Sequence, residues 1–271
     1  MIRPPAVAGR FYPADPSVLL RQLDECMTPR TTPAKERIHA RGCIVPHAGY
    51  IYSGYVAGAV YSALELPSRF ILLGPRHYPQ GERFAILSEG AWQTPLGEAR
   101  IDAALASELQ KAFPLLREDA VAHAVEHSVE VQLPFLQRLA KNFTFAPIVI
   151  GSDRFEALEL LGHAVAKVVH AQKDEILIVA SSDMNHRESD AITRTKDRKA
   201  IDPILALDAR QLYDTVRRER ITMCGYGPAV VMLTAVKDLG ATQAELVRYA
   251  TSADVTHDID DVVGYAGIIV R

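Results

Sequence analysis

The chain has 271 residues, 48% of them apolar, enough to bury a sizeable core. A formal net charge of −3 excludes the basic footprint of a nucleic-acid or anionic-membrane binder, and no apolar run is long enough to span a bilayer. Cys26, Cys43 and Cys224 are odd in number, widely spaced and without a CxxC pair, which argues against a disulfide framework or structural zinc and for a reducing, cytoplasmic setting.

In chain order, the opening RPPAVAGRFYP from Arg3 holds too much proline and glycine for helix or strand. Asp15 before Pro16 is a cap followed by proline at the first helical position, predicting a helix to about Met27. Residues 28–40 read as a polar loop. Residues 42–45 predict a short buried strand stopped by Pro46, and Ser53 stands where it could cap a helix over 54–66. His47 therefore falls in the turn after a strand end, where open α/β sheets bind their ligands. Residues 70–74 predict a second buried strand, feeding Pro75, Arg76 and His77. Another strand is expected over 83–88, and the turn at 94–97 leads to a helix capped by Asp102. Residues 120–140 read as an amphipathic helix with Pro134 near a first turn or a kink.

Further on, 143–150 predicts a strand, 154–171 a helix, and 175–180 a strand feeding Ser181, Ser182, Asp183 and His186. Helices near 208–218 and 228–239 and strands at 245–250 and 265–270 close the chain. This alternation predicts an α/β fold with a mostly parallel central sheet flanked by helices, in a single domain over 1–271.

Three histidines thus leave strand ends, and Cys224 lies in TMCGYGP just ahead of a helix start. Helix-end N–H groups there are expected to stabilise a thiolate, whereas Cys26 and Cys43 read as inert core thiols. Two imidazoles and one thiolate can hold a metal and leave positions open, so His47, His77 and Cys224 are the candidate ligands. His186 is then a nearby acid or base, Asp183 a carboxylate that could orient its ring, and Arg76 either a clamp for an anionic substrate or a surface residue. Glu126 and Glu130, four apart on the expected helix, share a face as a second shell or a solvated stripe. His39, His123, His163, His170 and His257 lack partner spacing and read as structural.

PHAGYIYSG, LGPRH, EHSVE with QLPF, SSDMNH, MCGYGP and AGRFYP occur in the order and spacing of the Memo family, whose prokaryotic members are called AmmeMemoRadiSam system protein B. The chain resembles that family over nearly its whole length. The resemblance implies a fold like the class III extradiol dioxygenases, non-haem iron enzymes. It places His47 and His77 on the two metal-ligand histidines and His186 on the catalytic base. Cys224 falls where those dioxygenases use a glutamate, and a softer thiolate favours copper(I), zinc or thiolate-bound iron. By the same similarity Phe11 and Tyr52 are pocket walls, Phe11 standing where animal relatives have tryptophan, and His127 belongs to a family motif. Those relatives resemble phosphotyrosine-peptide adaptors linked to copper or iron redox chemistry. The prokaryotic name implies a functional link to a radical SAM protein and an AMMECR-type protein.

Three functions are therefore open. The first is a metal-dependent oxidoreductase, with iron(II) or copper, or else zinc, on His47, His77 and Cys224 and with a small-molecule substrate. The second is a binding module for phosphorylated or acidic ligands through the imidazoles and Arg76. The third is a metal-free cysteine hydrolase in which His186 and Asp183 activate Cys224.

Overall fold

The computed structural model of the chain describes residues 1–27, 37–140 and 142–271, so most of the loop expected over 28–40 lies outside the described residues. The elements run β1 (Ile2–Arg3), α1 (Pro16–Met27), β2 (Gly42–Val45), α2 (Tyr50–Ala63), β3 (Arg69–Pro75), β4 (Phe84–Ile86), β5 (Ala91–Thr94), β6 (Gly97–Ile101), α3 (Ala103–Ala112), β7 (Arg117–Glu118) and α4 (Ala120–Ala124). After a 3-10 turn at Glu130–Gln132 come α5 (Leu133–Leu139), β8 (Thr144–Ile150), α6 (Phe155–His170), β9 (Ile176–Ser181), β10 (His186–Glu188), α7 (Asp190–Leu205), α8 (Ala209–Arg218), α9 (Tyr226–Asp238), β11 (Ala244–Thr251), α10 (Ala253–Thr256) and β12 (Val262–Val270).

The main run of the sheet is ordered β1-β5-β6-β8-β3-β9-β2-β12-β10. Its centre, β8-β3-β9-β2, is parallel, while β12 pairs antiparallel with β2, β10 and β11, and β5 with β6. The central strands are apolar on both faces because both faces are covered. Cys43, Val45, Phe70, Leu72, Leu177 and Val179 join the core under α1, α2 and α5. Their neighbours Ile44, Ile71, Leu73, Ile178 and Ala180 join the core under α3, α6, α8 and α9. Among the described residues no helix is long and apolar enough to cross a membrane.

Several local expectations are corrected. Helix α2 begins at Tyr50 behind Gly49, so Ser53 lies inside it, donating to the Ala48 carbonyl rather than capping. The helix expected over 120–140 is broken into α4, a turn, the 3-10 turn and α5. Arg3 is the cause: its Nε and Nη2 take the carbonyls of His123 and Glu126, each at 2.7 Å, while the Glu126 carboxylate accepts the N–H groups of His127 and Ser128. Those groups would otherwise carry the helix ladder onward. Pro134 sits in the first turn of α5. The β5–β6 hairpin and helix α7 are additions to the elements read from sequence, and β12 begins three residues before its expected start at 265.

Candidate metal centre

The carboxyl ends of the adjacent parallel strands β3, β9 and β2 deliver His77, Asp183 with His186, and His47 to one place. Cys224 comes from the other direction, in the loop before α9, which packs against the same three strands. That loop passes so close to the end of β9 that a Cβ on residue 225 would strike the Ser181 carbonyl and the Ser182 side chain, so only Gly225 fits.

One ligand atom from each of His47, His77 and Cys224 lies within 4.8 Å of the others. Cys224 Sγ is 3.2 Å from His47 Nε2, and the His47 and His77 rings meet edge to face with centroids 5.1 Å apart. Each imidazole is anchored through Nδ1. His77 Nδ1 donates to Glu126 Oε1 at 2.9 Å, and its backbone N–H donates to the other carboxylate oxygen at 2.7 Å. His47 Nδ1 is 2.9 Å from Ser181 Oγ, whose own proton goes to the Ser128 carbonyl at 2.6 Å, so the hydroxyl accepts from the ring. His186 Nδ1 donates to the Thr222 carbonyl at 3.0 Å. A carbonyl, a carboxylate and a hydroxyl whose proton is committed can only accept here, so each ring in its neutral form carries its proton on Nδ1 and keeps the Nε2 lone pair.

Burial, with the neighbouring imidazoles His127 and His77, holds His47 well below its ordinary pKa, so this ring is neutral and ready to ligate. Glu126 is fully buried, yet the bonds from His77 outweigh desolvation and hold its carboxyl well below the usual range. The expected stabilised thiolate at Cys224 is corrected: burial first, then the Asp183 carboxylate, push the thiol well above its ordinary value despite N–H groups from Asp183 and Gly225. A metal ion is the partner that would deprotonate it.

Asp183 does not orient His186. Its Oδ1 accepts the backbone N–H groups of His47 at 2.8 Å and Ala48 at 3.3 Å, fixing the turn that carries His47. It also stands within ligand reach of His186 and Cys224. Glu126 and Glu130 share no helix face and are not a solvated stripe. Glu126 holds His77, whereas Glu130, fully buried, pairs with Arg3 at 2.6 Å and takes the Tyr12 hydroxyl and the N–H groups of Ala6 and Val7. His127 is part of the cluster itself, stacked on His77 at 4.5 Å with Phe11 edge-on to it at 4.7 Å. Tyr52 packs against the small cluster of Val56, Ala250 and Tyr265. Arg76 turns away to the 78–82 loop, its Nη1 on the carbonyls of Gly81 and Glu82. Cys26 and Cys43 are buried thiols pushed up by desolvation, Cys26 to about 12. His123 is fully buried against Trp92 rather than on an open face.

Ser181 and Thr222 are anchors that sequence reasoning does not reveal, since hydroxyls and carbonyls carry no spacing signal; Glu126 supports the candidate site as expected, by holding His77, but from a turn rather than a helix face.

A family model described as Memo-like protein matches residues 3–269. The chain is 40% identical over 271 residues to a MEMO1 family protein of Methanosarcina barkeri, covering 100% of both chains. It is 41% identical over 281 residues to one of Sulfolobus acidocaldarius, covering 99% of both. A MEMO1 family protein of Methanothermobacter thermautotrophicus is 39% identical over 274 residues, 98% of this chain and 99% of the other. An uncharacterized protein of Escherichia coli, known from its crystal structure, shares the fold with a TM-score of 0.57 at 13% identity, over 85% of this chain and 100% of that one.

Proposed function

Taking as premise that the chain belongs to the Memo-like protein family, we propose that it is a metal-dependent oxidoreductase acting on a small phenolic or otherwise anionic molecule, with the metal held by His47, His77 and Cys224. The observation that carries this reading is the set of Nδ1 anchors: Ser181 and Glu126 present the Nε2 lone pairs of His47 and His77 beside the Cys224 sulfur. The donor set fits a catalytic rather than a closed structural site, because three protein ligands leave coordination positions for other groups. Iron(II) or copper in that set would supply redox chemistry and a seat for an anionic oxygen, whereas zinc would supply only the seat.

The chain's own residues would do the rest. His186, with its proton on Nδ1, takes a substrate hydroxyl proton at Nε2. Phe11, edge-on to His127, would form one wall beside the imidazoles. Metal content by mass spectrometry should be stoichiometric in the wild type and fall sharply in His47→Ala and Cys224→Ser; equal loading in all three would refute the reading. An oxygen-uptake screen with phenols then tests turnover.

The hydrolase reading is disfavoured by the partner Cys224 has. His186 and Asp183 do lie within reach of the sulfur, but burial and then the Asp183 carboxylate push the Cys224 thiol well above its ordinary value, the reverse of an activated nucleophile, and its hydrogen-bonded imidazole is the buried, neutral His47. The binding-module reading loses Arg76, which is committed to loop carbonyls.

A further inference from the structure

Between the His186 loop and the Cys224 loop runs a polar clasp that the proposed chemistry does not itself use. Asn185 is fully buried, and its Oδ1 accepts both the backbone N–H and the hydroxyl of Thr222, each at 3.1 Å. Its Nδ2 donates to Glu188 and Thr193, and its backbone N–H donates to the buried Asp197. Thr222 in turn accepts the His186 backbone N–H on Oγ1 at 2.7 Å and the His186 ring N–H on its carbonyl. Thr222 thus meets His186 at two points and stands two residues before Cys224, while Asn185, the residue before His186, holds Thr222 from the other side.

We infer that Thr222 and Asn185 are positioning residues that lock His186 in its Nδ1–H tautomer and tie it to the loop carrying Cys224. A neutral imidazole can place its proton on either nitrogen, and only the form with a free Nε2 can accept a proton there. The Thr222 carbonyl, itself aimed by the two bonds to Asn185, makes that choice. The catalytic importance of the choice rests on the proposed role of His186 as base, but the tautomer is measurable without metal, substrate or turnover.

The test is imidazole 15N NMR on the chelator-treated full-length protein at a pH where the rings are neutral. Wild type should show His186 protonated on Nδ1. Thr222→Ser, which keeps the hydroxyl, should leave it so. Thr222→Val, of nearly the same volume, should shift His186 toward the Nε2–H form while His47 and His77, anchored by Ser181 and Glu126, stay unchanged. Should Thr222→Val fail to fold, Asn185→Ala removes the acceptor from the other side with the same expected result. An Nε2–H His186 in wild type, an unmoved His186 in the variant, or equal shifts at all three histidines would each overturn the inference. Failure of metal binding in the wild type would count against the metal centre and leave this result standing.

Discussion

The carboxylate behind His77 does more than orient a ring. Its charge strengthens the lone pair on the far nitrogen, so Glu126→Gln, which keeps the shape and an acceptor oxygen but not the charge, should weaken metal binding by about 10–100-fold in a chelator competition. Cys224 adds a pH dependence of definite sign. The thiol is neutral until a metal takes its proton, while His47 is already neutral, so uptake should release one proton from the sulfur. Apparent affinity should therefore rise about tenfold per unit between about pH 7 and about pH 8.5, and Cys224→Ser should abolish most of that slope. At this scale the candidate ligands are legible in the sequence, because histidines after strand ends and a glycine-flanked cysteine before a helix are conspicuous, and the fold brings them together. The sequence conceals their anchors, because a serine hydroxyl or threonine carbonyl becomes an anchor only when the chain brings it within hydrogen-bond reach.

Element boundaries were readable where local chemistry decides them and unreadable where a distant side chain does. Asp15 and Asp102 cap α1 and α3 as expected, accepting N–H groups two or three residues on. The break after α4 depends instead on Arg3, more than a hundred residues away in the chain. Arg3→Met should strand the Glu130 carboxylate in the core and cost about 3–5 kcal/mol in urea unfolding, as breaking a buried ion pair does. Helix α7 carries a second buried acid, Asp197, which burial raises to about 7. The fold favours its protonated form, so its contribution is full below the ordinary carboxylate range and is lost as the pH rises through about 7. Asp197→Asn should therefore stabilise the protein more at about pH 8 than at about pH 5, by roughly 3 kcal/mol, since only the two units between pH 5 and about pH 7 count, at about 1.4 kcal/mol each.

For the molecule as a whole, the central strands were legible because each is a continuous apolar run, and their ends were legible as a site because parallel neighbours finish on the same side. The antiparallel margins were less so, since the short β5 and β6 mix exposed polar with buried residues. A metal bridging the β2 and β3 ends to the α9 loop, as proposed, would bind the folded chain in preference to the unfolded one, so its removal should lower the thermal midpoint. At a free metal concentration of 100 times Kd the stabilisation should be about 2.7 kcal/mol, read by calorimetry with and without chelator and absent in Cys224→Ser. The buried pairing of Arg3 with residues 123–130 also has a kinetic side. During synthesis the third residue must wait for more than a hundred others to leave the ribosome before its partners exist, and at about 5–20 residues per second that delay is many seconds. The segment from Arg3 to Tyr12, and with it the Phe11 wall beside His127, therefore cannot settle until residues 123–130 have emerged.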